Sequence, residues 1–202
     1  MAVNLRHLLI QQAARLQHAP ALAVEPWGTL SYLEFRNRVE GVALGLSARA
    51  PGGPLHAATG TPWDWVAEVA AACCGLEWRP EGSTVPSEAL GGPAFNSEAG
   101  RQAYHDQEDV VDADTLFRPG WTHGAWLSQL QRLNRTLGWD HRTLLVMPPE
   151  ALATPEGRAA AWSALYAGAF LRLERPRRSR NGLGRPLPLL PSWDPTAFQG
   201  LL

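Results

Sequence analysis

Arg118, Gly120, Thr122 and His123 lie close together in the order a small anion site needs. A threonine that caps a helix leaves the first backbone N–H groups facing negative charge, and a nearby guanidinium adds a planar fork of donors. Weak anion binding is the expectation, because one guanidinium and one helix terminus offer few donors and solvent screens them. A capping threonine followed by a partly exposed histidine gives the same residues a purely structural role. His105, Asp112 and Asp114 stand near His123 in the chain, but no glycine-flanked nucleophilic serine accompanies them, so no triad is recognisable. Glu108, Asp109, Asp112 and Asp114 lack the spacing, glycine and terminal glutamate of a calcium loop and read as a solvated acidic connection. No metal site is expected.

Cys73 and Cys74 are the only cysteines. Adjacent thiols in an Ala-Ala-Ala-Cys-Cys-Gly setting make neither a disulfide framework nor a zinc site, and read as buried structural residues. Arg172, Arg175, Arg177, Arg178, Arg180 and Arg185 form a local basic patch broken by Pro176, Gly182, Gly184 and Pro186. It could contact phosphate or an acidic protein surface. No RNA-binding aromatic signature or DNA-reading helix goes with it, which argues against nucleic acid.

All 18 basic residues are arginine and none is lysine. Schiff-base chemistry and the phosphate-loop lysine of nucleotide sites are therefore excluded, and arginine is no proton carrier. Net charge is −1 and charged residues make up 18% of the chain, so no global basic excess exists for a polyanion. The 202 residues, 45% hydrophobic, suffice for one compact domain. The N-terminal residues lack the features of a signal peptide and no apolar run approaches about 18 residues, so a reducing cytoplasm is the expected location, with no membrane partner.

These residues must be positioned by an alternation of helices and short strands. Asn4 precedes Leu5, Leu8, Leu9, Ala13 and Leu16 at helical spacing. Ala21 to Val24 is a short apolar run, and Ser31 to Glu34 has capping-box spacing for a second helix reaching about residue 48. Leu55 to Thr59, a helix over Trp63 to Cys74, and Leu76 to Arg79 read as strand, helix, strand. Residues 80–108 read as a long connection. Thr122 caps a helix closed by Gly138, Thr143 to Met147 is a strand, Gly157 to Tyr166 a helix, and Ala169 to Leu173 a strand. Most of the nine tryptophans fall in apolar patterns and should be core. The expected architecture is a single layered α/β domain over 1–202, with a partly parallel sheet and two βαβ-like units flanked by helices, ending in an Arg/Pro-rich segment over 175–202.

Several landmarks occur in a familiar order. Asn4-Leu5, Ala19-Pro-Ala-Leu22, Thr29-Leu-Ser-Tyr32-Leu-Glu-Phe-Arg-Asn-Arg38-Val39 and Trp65 through Pro80 resemble the N-terminal region of the adenylate-forming synthetases, which include acyl-CoA synthetases, luciferases and peptide-synthetase adenylation domains. Pro119-Gly120-Trp121-Thr122-His123-Gly-Ala-Trp126 resembles the end of that family's phosphate-binding signature, and Leu144 to Leu173 follows its order. The resemblance covers roughly residues 4 to 80 and 115 to 175.

The departures bear on activity. A working member of that family carries a serine/threonine- and glycine-rich loop ending in proline and lysine, whose donors hold ATP phosphates. The corresponding stretch here is Asp114-Thr-Leu-Phe-Arg118-Pro119-Gly120. The lysine is missing, as are later motifs for adenine, ribose and magnesium. Losing positioning and charge neutralisation together should cost many orders of magnitude in rate. The expectation is thus a catalytically degenerate relative that uses no cofactor and serves as a binding or assembly module for a protein partner or a second copy. Two alternatives stand beside it: one subunit of a split acyl-activating ligase needing a companion chain, and an Arg-rich adaptor for nucleic acid or acidic proteins.

Overall fold

The computed structural model describes residues 3–49, 53–56, 62–79, 83–85, 102, 104–106 and 111–174. Its first helix, α1 (Leu5–Leu16), begins where the Asn4 side chain accepts a hydrogen bond from His7 N at 2.8 Å. Its apolar stripe of Leu5, Leu8, Leu9 and Ala13 is buried. The strands β1 (Pro20–Val24) and β2 (Gly28–Ser31) form a hairpin that leads directly into α2 (Tyr32–Arg49). Ser31 and Glu34 make the expected reciprocal cap: Glu34 Oε2 accepts from Ser31 N at 2.8 Å, and Ser31 Oγ accepts from Glu34 N at 3.2 Å.

The chain continues through β3 (Leu55–His56), α3 (Trp63–Cys73) and β4 (Ser83–Thr84). The hairpin β5 (Leu116–Arg118) and β6 (Trp121–Thr122) runs into α4 (His123–Leu137). Then follow β7 (Leu144–Met147), a 3-10 turn over Pro149–Ala153, α5 (Pro155–Ala167) and β8 (Phe170–Leu173). The helices expected from 32, 63, 122 and 157 are all present within two residues.

The principal sheet has the order β2-β1-β8-β7, with β1 antiparallel to β2 and parallel to β8, and β8 parallel to β7. The β7-α5-β8 segment is the expected parallel crossover. The first unit is smaller than expected: Leu55 bridges Trp78 in parallel, with Leu55 N donating to Glu77 O at 2.8 Å and Arg79 N to Leu55 O at 2.9 Å. It does not join the principal sheet, which corrects the expectation that Leu55 to Thr59 and Leu76 to Arg79 would share one sheet with Thr143 to Met147 and Ala169 to Leu173. Residues 57–61 lie outside those described.

The reason is the destination of the backbone donors. Trp78 N donates to Phe117 O at 2.9 Å, so the strand after α3 is shared between β3 and β5. The position beside β8 goes to β1, whose Ala21, Leu22 and Val24 are small or branched enough to sit within a sheet covered by helices. Tyr32 locks this arrangement, since its buried hydroxyl donates to Ala169 O, 2.7 Å away at the entrance to β8.

Helices α1, α2 and α3 pack on one another, and α4 packs on α5. Gln12 and Arg15 of α1 donate to Tyr166 O at 2.5 Å and Ala167 O at 3.4 Å, meeting carbonyls that the end of α5 leaves open. Trp65, Trp78, Trp126 and Trp162 are buried, while Trp27, Trp63, Trp121 and Trp139 pack partly buried against the core. Trp193 lies outside the described residues. Among the described residues, no helix is long and apolar enough to cross a membrane.

Gly157 sits inside the first turn of α5, where a helical glycine usually costs stability. Here a Cβ would collide with the backbone carbonyl of Ala151. Gly157→Ala is therefore expected to destabilise by about 2 kcal/mol instead of stabilising, read as a lower urea midpoint with an unchanged m value. A variant as stable as the parent would show that the 3-10 turn moves aside at no cost.

Candidate functional site

The β5–β6 hairpin places Arg118, Gly120, Thr122 and His123 at one junction, as their spacing suggests. Gly120 occupies a left-handed conformation, φ 75°, in the two-residue turn Pro119-Gly120. Thr122 is the N-cap of α4, and its Oγ1 accepts from Ala125 N at 3.3 Å. His123 N donates to Thr115 O at 3.0 Å and Gly124 N to Ala113 O at 2.8 Å. The first three amide donors of α4 are thus taken by the chain's own oxygens.

The expectation of a partly exposed His123 is corrected. The ring is fully buried, its Nδ1 accepts from Leu5 N at 3.2 Å, and it meets Phe117 edge-on at 5.9 Å. Burial pulls its pKa down to about 4. The imidazole is neutral at pH 7 with its proton on Nε2. It terminates α1 against α4 instead of facing solvent.

Arg118 also turns inward. Its Nη2 pairs with Oε1 of Glu68, a residue of α3 that is 2% exposed. The same oxygen accepts from Trp162 Nε1 at 3.0 Å, and Glu68 Oε2 lies 3.4 Å from Arg158 Nε. The single Nε–H of Arg158 donates to Leu152 O at 2.8 Å, so Arg158 meets Glu68 as an ion pair. The Arg118 guanidinium is stacked 5.1 Å from both the Phe117 and Trp126 ring centres, and Trp162 stands edge-on to Trp65 and Phe117 at 5.1 and 5.2 Å. A carboxylate in a low-dielectric core persists only when its charge is compensated, and here Arg118 and the Trp162 indole donate to Oε1 while Arg158 sets a second positive charge beside Oε2. Sequence reasoning missed Glu68 and Arg158. The available signal was a single glutamate inside the apolar run Trp65 to Cys73.

Asp112 accepts from Asp114 N, Thr115 N and Thr115 Oγ1 at 2.8–2.9 Å, and these bonds, those from Thr115 foremost, hold its carboxyl below the ordinary range. It shapes the loop before β5. Glu108 and Asp109 lie outside the described residues, and among those described no three metal-ligating side chains converge. Burial pushes the Cys73 and Cys74 thiols up to about 12 and about 11, so neither is a thiolate at neutral pH. Of the basic patch, Arg172 lies on β8 with its guanidinium 5.8 Å from the Phe170 ring centre, while Arg175, Arg177, Arg178, Arg180 and Arg185 are outside the described residues.

At the carboxyl ends of β1 and β8 an open crevice of about 650 Å³ is lined by Glu25, Gly28, Pro62, Glu150, Arg172 and Glu174, among others. Crevices at the carboxyl ends of parallel strands are the usual ligand position in open α/β sheets. Among the described residues the lining of this one carries three carboxylates and one guanidinium.

No protein-family model matches the sequence. No curated protein matches it either. Solved structures do, and they define the class of fold: that of the N-terminal subdomain of adenylate-forming enzymes. The NpsA N-terminal subdomain of Klebsiella oxytoca superposes with a TM-score of 0.61 at 16% identity, over 89% of this chain and 55% of that one. VinN superposes with a TM-score of 0.62 at 12% identity, over 86% of this chain and 60% of that one. An artificially fused adenylation-PCP di-domain, NpsA-ThdA, also from Klebsiella oxytoca, gives a TM-score of 0.58 at 15% identity, over 88% of this chain and 40% of that one. The chain therefore spans little more than half the length of the first two.

Proposed function

We propose that this chain is a noncatalytic binding or assembly module built on the adenylate-forming fold, acting on a protein partner or a second copy of itself. One observation carries the reading: at the hairpin where the resemblance puts the phosphate-binding signature, the amide donors of α4 and the Arg118 guanidinium are engaged by the chain's own atoms. The turn is only Pro119-Gly120, and no lysine exists anywhere in the chain to neutralise a leaving phosphate.

A test is ATP–pyrophosphate exchange by the purified chain, offered L-aspartate, the ligand in one VinN complex, and a panel of aryl carboxylic acids. No exchange above buffer is expected. Exchange that follows the chain through purification and disappears when Arg118 is replaced would overturn the proposal. The longer chains of NpsA and VinN favour one second reading, a ligase completed by a companion chain. Purification at native expression level, followed by the same assay on any complex recovered, separates the two: exchange only in the complex supports the split ligase.

A further inference from the structure

The buried cluster at Glu68 has the chemistry of a carboxylate-binding site with the carboxylate supplied internally. Two guanidiniums, on Arg118 and Arg158, and the Trp162 indole N–H converge on one carboxylate. The arginine side chains are only 13% and 14% exposed and Glu68 is 2% exposed, so little solvent screens the charges. Arg118 Nε is buried and has no hydrogen-bond partner. Among the described residues no second carboxylate pairs with either guanidinium, which leaves two positive charges on one negative. Such a pocket favours an anion strongly, and its donors come from two elements, β5 and α5, separate from the helix α3 that carries Glu68.

We infer that Glu68 is a built-in ligand: it fills an anion site made by Arg118, Arg158 and Trp162, and thereby closes that site to external carboxylates and phosphates. Removing the carboxylate should open the site while leaving its donors in place. Glu68→Ala deletes Cγ and the carboxyl group, the heavy atoms of acetate, so acetate is the matching probe.

The native chain is expected to show no saturable response to sodium acetate beyond that of sodium chloride at equal ionic strength. Glu68→Ala should melt about 10 °C lower, the consequence of stranding two partly buried guanidiniums. Acetate should then recover most of that loss along a saturating curve and shift the Trp162 indole N–H resonance with the same midpoint. Adding Arg118→Met to Glu68→Ala should abolish both responses. Glu68→Gln keeps the shape and an acceptor for Trp162 while losing the charge, and remains measurable where the alanine variant does not fold. It should be less stable than the parent, because the two guanidiniums lose their counter-charge, and should show no acetate response beyond that of the parent, because the amide still fills the site. The inference is overturned by a glutamine variant as stable as the parent, by acetate acting equally on the parent and the alanine variant, or by recovery without movement of the indole signal.

Discussion

Trp162→Phe is expected to lower stability by about 3 kcal/mol, and Trp162→Ala by 4 kcal/mol or more, roughly at the top of the range for buried aromatic truncations. The indole is fully buried and stands edge-on to Trp65 and Phe117. Phenylalanine keeps much of that packing but removes the donor to Glu68 at 3.0 Å, leaving a carboxylate oxygen in the core one partner short. Trp126→Phe is the control. It is equally buried, yet its Nε1 has no hydrogen-bond partner, so the same exchange there shrinks a ring and its contact with Arg118 but removes no hydrogen bond. Urea midpoints at constant m value check the pair. Equal losses at the two positions would mean that the indole-carboxylate bond contributes nothing net.

Stability should fall by about 2 kcal/mol between about pH 7 and pH 5, through His123. In the folded chain the imidazole pKa is pulled down to about 4 by burial, against an ordinary value of 6.5. As pH drops below 6.5 the unfolded chain takes up a proton that the native chain refuses, so stability is present above 6.5 and is lost progressively until pH about 4. The structure explains the refusal. Protonated Nδ1 could no longer accept from Leu5 N, and a charge would be placed against Phe117. The exposed carboxylates Asp112, Asp140 and Glu34, held below their ordinary values chiefly by hydrogen bonds from Thr115, Arg142 and Ser31, add losses only at more acid pH. His123→Phe should be less stable at pH 7, because Leu5 N loses its acceptor, and should show a much flatter profile between pH 7 and 5. A parent chain whose urea midpoint is constant over that interval would contradict the burial of a neutral ring.

Local sequence determined the helices. Asn4, the Ser31-Glu34 pair and Thr122 each cap within four residues, and Gly138 and Gly168 close α4 and α5 in left-handed conformations, φ 65° and 79°. Such signals act over one helical turn and survive any rearrangement of the rest. The β7-α5-β8 crossover was legible for the same reason, since a strand, a capped helix and a glycine follow one another without interruption. The chemistry lysine would supply was excluded by composition alone.

Tertiary structure decided what lies next to what. Ala21 to Val24 is too short for periodicity to distinguish a strand from any buried run, and only the place beside β8 made it β1. The composition admitted an anion at Arg118 equally from solvent or from within. The fold chose within, because α3 brings Glu68, 50 residues earlier in the chain, and α5 brings Trp162, 94 residues beyond Glu68, to the same point. Nothing in a window of a few residues encodes such an encounter. It arises because apolar faces of separate helices must close on one core, and a carboxylate carried into that core, as Glu68 is, takes whatever cations and N–H groups arrive with it.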